Sequence, residues 1–384
     1  MTALTLALVA ANLLFALRAL DVILGSKTSI ETREPRDDLP SLSIIVPARN
    51  EERQIAGCVR SLLATRHSDF ELIVVDDRSD DATRAILEGM AAQEQRLQVL
   101  AGRPLPEGWI GKSWALAQGA RVARAQWLLF TDADTEHEPL AATSALQYAL
   151  ARRFDALSLL PDQQTITWAE HFVLPTILFV ILLGIGSLDV INDPRKRDIA
   201  IFNGQYVLVS RRAYDSIGGH AAVRGEIAED LALARLFKRD GRFRIALAGA
   251  NRLARTRMYR SFDEIWRGFV KNFAIAARGR TIDAVIGITL LACVSPLSPI
   301  LLFALLARHA WLGAGALATT AALVVAIVEG GLRRMHFRAG AGATVHLGLA
   351  VVLGIFAVSL VQTHYGRGVE WRGRRYGGGF AQRR

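Results

Sequence analysis

Two carboxylates one residue apart, Asp132 and Asp134, stand where the apolar run LLFTDADTEHEP (Leu128 to Pro139) loses its hydrophobic character. At the end of an extended stretch, side chains two positions apart leave on the same side, about 6 to 7 Å apart along the chain. Two such oxygen donors can share one hard divalent ion, and that ion can hold a diphosphate. The competing expectation is an Asx-type turn, and Thr135-Glu136-His137-Glu138 either adds a ligand or caps the next helix. A second acidic pair, Glu229-Asp230, opens the amphipathic run LALARLFKRDG. A helix start favours ionised carboxylates, either as a capping pair or as a general base for an acceptor hydroxyl. Acidic groups also end two earlier apolar runs: Glu51 and Glu52 after Pro47-Ala48-Arg49-Asn50, and Asp76-Asp77 before Arg78-Ser79. Such carboxylates can accept hydrogen bonds from a base or from ribose hydroxyls, while Ser79 and Thr83 can cap the following helix. Gly111-Lys112-Ser113 precedes an Ala-rich stretch, where glycine lets backbone approach a ligand and lysine meets a phosphate. Asn203-Gly204-Gln205, in another strand-like run, is a candidate lining of the same pocket.

Elements able to position these groups are legible in the patterning. Strand-like runs at 42–47, 71–77, 97–102 and 126–132 alternate with helical patterns at 51–64, 80–92 and 111–125. Short β-rich runs separated by helices predict a mostly parallel sheet covered on both faces. In such α/β sheets ligands lie beyond the carboxyl ends of the strands. No Gly-x-Gly-x-x-Gly follows the first strand and no Walker-type loop occurs, so dinucleotide redox chemistry and P-loop hydrolysis are disfavoured.

Of 384 residues, 51% are hydrophobic, and the excess is concentrated in Leu4 to Leu24, His171 to Val190, Ile282 to Leu306, Ala310 to Val328 and Ala343 to Val361. A bilayer span needs about 20 mostly apolar residues, and each run is long enough or nearly so. The first lacks a basic leader and a small-residue cleavage site, which predicts a retained anchor. The net charge of +10 comes without a basic stripe interleaved with aromatics, so a membrane surface explains it and nucleic acid is not an expected partner. Cys58 and Cys293 are the two cysteines. A disulfide framework or thiolate metal site is therefore not expected, and a reducing compartment is. The expected organisation is an anchor (1–25), a linker (26–41), a catalytic domain (42–262) interrupted by a re-entrant or interfacial segment (171–190), an interfacial amphipathic helix (263–280), about three transmembrane helices (281–364) and a basic tail (365–384).

Seven stretches in order, IIVPARNEE, VVDDRSDDAT, GKSWALAQG, LLFTDAD, NGQYVLVSRRAYDSIGGH, EIAED and RMYRSFDEIWRGF, resemble the membrane-bound branch of the family 2 glycosyltransferases, over about Leu42 to Ala277. Within that branch the set is most similar to bacterial hopene-associated and carotenoid (diaponeurosporenoate-type) glycosyltransferases, with ceramide glucosyltransferases more distant. The closing GRGVEWRGRRYG is similar to a Trp-x-Gly-Arg-x-Tyr motif of the same group. The resemblance implies a GT-A fold, a Rossmann-like mixed α/β sheet, flanked by N- and C-terminal transmembrane helices. It implies that Pro47, Arg49, Glu51, Asp77 and Lys112 line the nucleotide-sugar site, with Asp76 and Asp132 beside them. It further implies that Asp132 and Asp134 form a DxD motif for Mg²⁺ or Mn²⁺, and that Asp230, with Glu229 beside it, is the catalytic base of a motif commonly written Thr-Glu-Asp. Ala228 here replaces the Thr, removing a hydroxyl. The Gln-x-x-Arg-Trp string of the processive branch is absent, and Glu264-Ile265-Trp266-Arg267 stands in its place. Trp266 and Arg267, with Gly204 and Gln205, are thus candidate contacts to acceptor or diphosphate.

The activity so implied is inverting transfer of a sugar from a nucleotide-diphosphate sugar, such as a UDP-sugar, to a hydroxyl or carboxyl of a membrane lipid of hopanoid, carotenoid or sphingolipid type. The rivals are a processive polysaccharide synthase, for which the spans are few, and a non-catalytic lipid-binding scaffold. A bacterial inner-membrane protein with a cytoplasmic catalytic domain is the matching location. Segment 171–190 lies between the metal motif and the base, so a single crossing there would divide the site across the bilayer. Arg333, Arg334 and Arg338 then fall inside, as the positive-inside tendency expects. The Arg-rich tail falls outside after three spans. Either one segment fails to cross, with Ser295-Pro296-Leu297-Ser298-Pro299 marking a break, or the tail is an exception.

Overall fold

The computed structural model describes residues 1–26, 28–276, 281–364, 369–371 and 374–376. It begins with helix α1 (Ala3–Leu24). Strands and helices then alternate through β1 (Leu42–Ala48), α2 (Ile55–Leu63), β2 (Phe70–Asp76), α3 (Thr83–Ala91), β3 (Leu97–Ala101), α4 (Gly111–Val122) and β4 (Trp127–Phe130). Next come β5 (Thr135–His137), α5 (Ala141–Arg152), β6 (Ala156–Leu160), β7 (Asp162–Gln163), α6 (Trp168–Phe172), α7 (Leu174–Ile185) and α8 (Leu188–Asn192). They are followed by β8 (Val207–Ser210), α9 (Arg211–Ser216), α10 (Gly219–Ala222), α11 (Glu229–Asp240), β9 (Ile245–Gly249) and β10 (Ala254–Thr256). The remainder is helical, α12 (Phe262–Ala276), α13 (Thr281–Ala292), α14 (Ser298–Ala307), α15 (Trp311–Arg334) and α16 (Val345–His364), before the short pair β11 (Val369–Trp371) and β12 (Arg374–Tyr376).

These elements form two compact units, Ser26–Gln164 with Leu188–Met258, and Met1–Gly25 with Thr165–Ser187 and the chain from Tyr259. The first unit is built on a seven-stranded sheet of order β3-β2-β1-β4-β8-β6-β9. Every strand but β8 points the same way; β8 is antiparallel to both β4 and β6. The patterning of β1 explains how both faces are covered. Ile44 and Val46 join Ile55, Cys58, Val59 and Leu62 of α2 in one buried cluster. Ile45, on the opposite face, packs with Ala115 and Leu116 of α4 and Leu233 and Phe237 of α11. Helix α4 reaches the sheet closely because position 119 is glycine: a Cβ there would stand 2.5 Å from Ile45 Cγ2. The parallel register ends β1 and β2 together at Ala48 and Asp76, and β4 lies on the other side of β1. The chain therefore switches direction of winding between β1 and β4, which opens a crevice at their carboxyl ends. A second sheet, β5-β10-β7, lies at the end of β4.

Residues 26–41, expected as a linker, are packed onto this unit. Ile30 is fully buried, its N–H donates to Gly249 O, and Ser29 bridges to Gly249 at the end of β9. Arg33 N–H donates to Ser144 Oγ on α5.

In the second unit, α1 and α15 run parallel. A Cβ on Gly313 would meet Thr5, one on Gly331 would meet Ile23, and Arg334 Nη1 donates to Ile23 O. The helical path between α13 and α14 is interrupted at Cys293–Leu297, where Ser295 is extended (φ −159°, ψ 127°). Ser298 Oγ accepts from Asn12 Nδ2 at 2.8 Å, tying that break to α1. Among the described residues five helical stretches are long and apolar enough to cross a membrane: 3–24, 168–185, 285–307, 311–334 and 341–361. The apolar segment expected over 171–190 divides into α6, α7 and α8. Thr167 and Glu170 form a reciprocal capping box at the start of α6, Gly186 (φ 114°) ends α7, and the chain rejoins the first unit at Leu188. Helix α12 covers the expected amphipathic stretch to Ala276; 277–280 lie outside the described residues, as do Arg367, Arg372, Arg383 and Arg384 of the basic tail.

Candidate active site

The crevice at the carboxyl ends of β1, β2 and β4 gathers most of the candidate residues. After β1 and β2 the chain turns through two non-glycine residues with left-handed backbone, Asn50 (φ 55°) and Arg78 (φ 57°). Mutual hydrogen bonds hold these loops. Asn50 N–H donates to Ser79 Oγ, Asp80 N–H to Asn50 Oδ1, and Glu51 N–H to Thr83 Oγ1 at 2.7 Å. Ser79 and Thr83, expected as helix caps, therefore stitch one strand-end loop to the other; α3 begins after Ala82 without a side-chain cap. Pro47 lies inside β1, paired with Val75. Arg49 reaches across, its Nη1 donating to Asp77 O at 2.7 Å. Asp76, Asp77 and Glu51 are all buried here. Asp76 Oδ1 accepts from Ser79 N–H.

Strand β4 stops at Phe130, two residues short of expectation. Thr135 N–H donates to Asp132 O, so Asp132-Ala133-Asp134 occupies a turn between β4 and β5. The turn packs because Ala133 is buried beneath it and the Cys58 thiol lies against Asp132 O. Of the residues that follow, His137 points into the core, its Nε2 2.9 Å from Thr131 Oγ1, while Glu136 pairs with Arg255.

Lys112, in the first turn of α4, sits at the centre. Its ammonium is 2.7 Å from Asp132 Oδ1 and 2.9 Å from Glu229 Oε1. Burial opposes its charge, but Asp132, Glu229 and Asp230 outweigh that and hold its pKa above the usual lysine range. Glu229 and Asp230 form the first turn of α11, whose far end is closed by Gly241 in a left-handed conformation. Asp230 Oδ2 accepts from Gly204 N–H at 2.8 Å and Oδ1 from its neighbour Leu231 N–H at 2.8 Å. Burial, then the Glu229 charge, pushes the Asp230 carboxyl up to about 6, against the pull of Lys112 and the two amides. A group so poised is ionised at neutral pH and still basic enough to accept a proton.

Residues 203–205 were expected in a strand; they form the turn that precedes β8, and Tyr206 N–H closes it on Asn203 O. Gly204 faces the site: a Cβ there would come 2.9 Å from Lys112 Nζ and 3.2 Å from Asp230 Oδ2. Gln205 turns away from it, buried, its Nε2 donating to Thr256 Oγ1. Trp266 and Arg267 belong to the other unit. Trp266 packs beside Phe262 and Gly354, and exposed Arg267 pairs with Asp263 one helical turn away.

His220, in α10, was not anticipated. Its Nδ1 is 2.8 Å from the Tyr214 hydroxyl and its ring stands edge-on to Phe130. Burial, with the Lys112 charge, lowers its pKa to about 3 and keeps it neutral. Thr131 and Thr256 were also missed, since nothing in an isolated threonine signals a role.

Among the described residues no group of three or more His, Cys, Asp or Glu is arranged to hold a metal by itself. Asp132 and Asp134 offer hard oxygen donors, two carboxylates that fit a divalent ion completing its shell with phosphate oxygens and water.

The family model described as glycosyl transferase family 2 matches residues 43–218. A 4,4'-diaponeurosporenoate glycosyltransferase of Staphylococcus haemolyticus is 26% identical over 252 residues, 65% of each chain. One from Staphylococcus aureus strain MRSA252 is 27% identical over 344 residues, 88% of each. Among solved structures, a mannosyltransferase from Pyrobaculum calidifontis in complex with GDP-mannose and Mn²⁺ aligns with TM-score 0.55 at 18% identity, over 94% of this chain and 97% of the other. The likeness is one of fold, that of a GT-A mixed α/β sheet.

Proposed function

We propose that this chain, whose residues 43–218 form a family 2 glycosyltransferase domain, moves a single sugar, with inversion, from a nucleotide-diphosphate sugar to a membrane lipid. One observation carries the reading. Lys112 joins Asp132 of the metal turn to Glu229, next to Asp230, so the groups that would hold a diphosphate and the group that would take a proton meet at one crevice. The named relatives, whose acceptor is the acid diaponeurosporenoate, and the five apolar helices support a lipid acceptor.

In this mechanism Asp230 accepts the proton of the acceptor's hydroxyl or acid group. The acceptor oxygen attacks the anomeric carbon from the face opposite the diphosphate, and the bond from that carbon to the diphosphate oxygen breaks. Lys112 faces the charge that grows on the leaving diphosphate. Gly204 N–H and Leu231 N–H hold the two Asp230 oxygens. Asp132 and Asp134 would hold the Mg²⁺ or Mn²⁺, whose contribution when bound is Lewis-acid stabilisation of the leaving group.

Chain topology supports the membrane placement. Both halves of the site lie in one compact unit, and residues 165–187 leave that unit and return to it. A single crossing of the bilayer by that segment does not fit such a path, whereas a re-entrant, interfacial or protein-buried hairpin does. Because α1 and α15 are parallel, Arg333 and Arg334 end at the same level as Gly25, where the chain passes into the catalytic unit. That agrees with a cytoplasmic site under the positive-inside tendency. The test is lipid extraction from a host with and without the gene, followed by mass spectrometry. A lipid heavier by one hexose-sized unit supports the reading; an unchanged lipid profile with a lengthened polysaccharide contradicts it.

A further inference from the structure

The metal turn and the turn that holds the base are far apart in sequence, yet a closed path of hydrogen bonds, buried over most of its length, joins them. Thr131 Oγ1, just before Asp132, donates to Gln205 O at 2.7 Å. Gln205 Nε2 donates to Thr256 Oγ1 at 3.1 Å, and Thr256 Oγ1 donates to Asp134 O at 3.2 Å. Gln205 is thus gripped at its main chain by one end of the Asp132-Ala133-Asp134 turn and at its side chain, through Thr256, by the other. The residue before it, Gly204, supplies the N–H that holds Asp230 Oδ2.

The side chains of the path are sealed from water, Thr131 and Thr256 at 1% exposed and Gln205 at 3%, with His137 beside them at 6%, while the bond to Asp134 O is partly buried. Hydrogen bonds in such surroundings have no solvent to substitute for them when one partner is removed. The polarity of the path is fixed as well. Thr131 commits its hydroxyl hydrogen to Gln205 O, so His137 Nε2 must donate to Thr131 Oγ1. That requires a proton on Nε2, and burial, which lowers the His137 pKa to about 3, keeps the ring neutral. Thr256 has little freedom, because β10 is the central strand of its sheet, paired with Thr135 on one side and Gln163 on the other.

We infer that Gln205 and Thr256 are positioning residues: they brace the metal turn against the 203–206 turn and so set the distance between the Asp132/Asp134 carboxylates and Asp230. This rests on the proposed transferase reading for its functional consequence. The structural brace itself does not. Neither residue touches the reacting atoms; Gln205 acts through Gly204 and Thr131, and Thr256 through Asp134.

The test uses the full chain in lipid nanodiscs as wild type, Thr256→Val, which keeps the shape and removes the hydroxyl, and Thr256→Ser, which restores it. Two kinds of measurement are made. Backbone hydrogen–deuterium exchange reads the brace without any turnover. In Thr256→Val, exchange should rise at both 131–135 and 203–206, and in Thr256→Ser it should return to the wild-type pattern. Steady-state kinetics and calorimetry with Mn²⁺ and UDP or GDP read the consequence. Misplacement of reacting groups by about 1 Å costs about 100-fold in rate, so Thr256→Val should lose about that in kcat while donor KM and nucleotide binding stay within about threefold. Unchanged exchange at 203–206 in Thr256→Val overturns the brace. Coupled exchange with unchanged kcat overturns its role in positioning, as does a Ser variant as impaired as the Val one. A wild-type protein that turns over no nucleotide sugar defeats the transferase reading, and the exchange measurement still decides the brace.

Discussion

Replacing Lys112 by methionine gives a pH signature that can be worked from the structure. Gly204 offers a point 2.9 Å from Lys112 Nζ and 3.2 Å from Asp230 Oδ2. The ammonium and the carboxylate therefore lie within about 6 Å of each other, the range in which an opposite charge shifts a carboxyl by about one to three units. Burial and Glu229 raise the Asp230 pKa to about 6, and Lys112 is the largest influence opposing them. If Asp230 is the base, as proposed, it must be ionised to act, so wild-type kcat should fall as pH drops through about 6. Without the ammonium the Asp230 pKa rises, and the acid limb of the profile must move to higher pH. A shift of about one unit would take the ionised share at pH 7 from about nine tenths to about one half, and corresponds to about 1.4 kcal/mol. Loss of the charge facing the leaving diphosphate should add a pH-independent fall of about 100- to 1000-fold in kcat, the usual cost of removing one preorganised donor. The assay is single-turnover transfer to lipid in nanodiscs from pH 5 to 9, with Lys112→Arg as the charge-preserving control. An acid limb that stays at the wild-type position in Lys112→Met, or moves to lower pH, refutes the electrostatic reasoning.

Further outcomes follow from the same geometry. Gly204→Ala places a methyl 2.9 Å from Lys112 Nζ and 3.2 Å from Asp230 Oδ2, so kcat should drop by about tenfold or more; unaltered kcat would mean the turn does not border the reacting groups. Gly119→Ala sets a Cβ 2.5 Å from Ile45 Cγ2, and overpacking of this kind costs about 1 to 3 kcal/mol. A lower midpoint of thermal unfolding with unchanged donor KM is expected there, and an unchanged midpoint would contradict the close contact of α4 with β1. Chelation of divalent ions should abolish transfer, restored by Mn²⁺ or Mg²⁺; full activity after exhaustive chelation would remove the role given to Asp132 and Asp134.

The alternation of β1 to β4 with α2 to α4 was legible because period-two and period-3.6 patterns of apolar residues report which faces are buried. The acidic residues at the strand ends were legible for another reason: a turn or a cap accounts for any one of them, but not for their recurrence at the ends of several apolar runs. What the sequence hid were departures from regular structure. Thr131 prolongs an apolar run and reads as strand, yet its hydroxyl is spent on Gln205 O and the chain turns at Asp132. Asn203-Gly204-Gln205 sits beside a true strand, and reading it as strand left the direction of Gln205 undetermined. Thr256 could not be found locally, since its bond to Asp134 O spans 122 residues and depends on β10 pairing with β5. The stretch 26–41 looked like a linker because its charges and prolines dominate, while its apolar residues Ile30 and Leu39 are buried in the core cluster on one face of the sheet. Proximity of Lys112 to both acidic pairs was not legible either; it emerges only when α4 and α11 are set on the same face of the sheet.

The most direct test of the account is transfer by the purified protein in nanodiscs, supplied with a nucleotide-diphosphate sugar, Mn²⁺ and lipid extract, and read by mass spectrometry and anomeric configuration of the product. Wild type should yield a lipid bearing one sugar of inverted configuration, and Asp132→Ala and Asp230→Asn should yield none while retaining the wild-type thermal unfolding profile. A product with retained configuration, or wild-type turnover by Asp230→Asn, would contradict it.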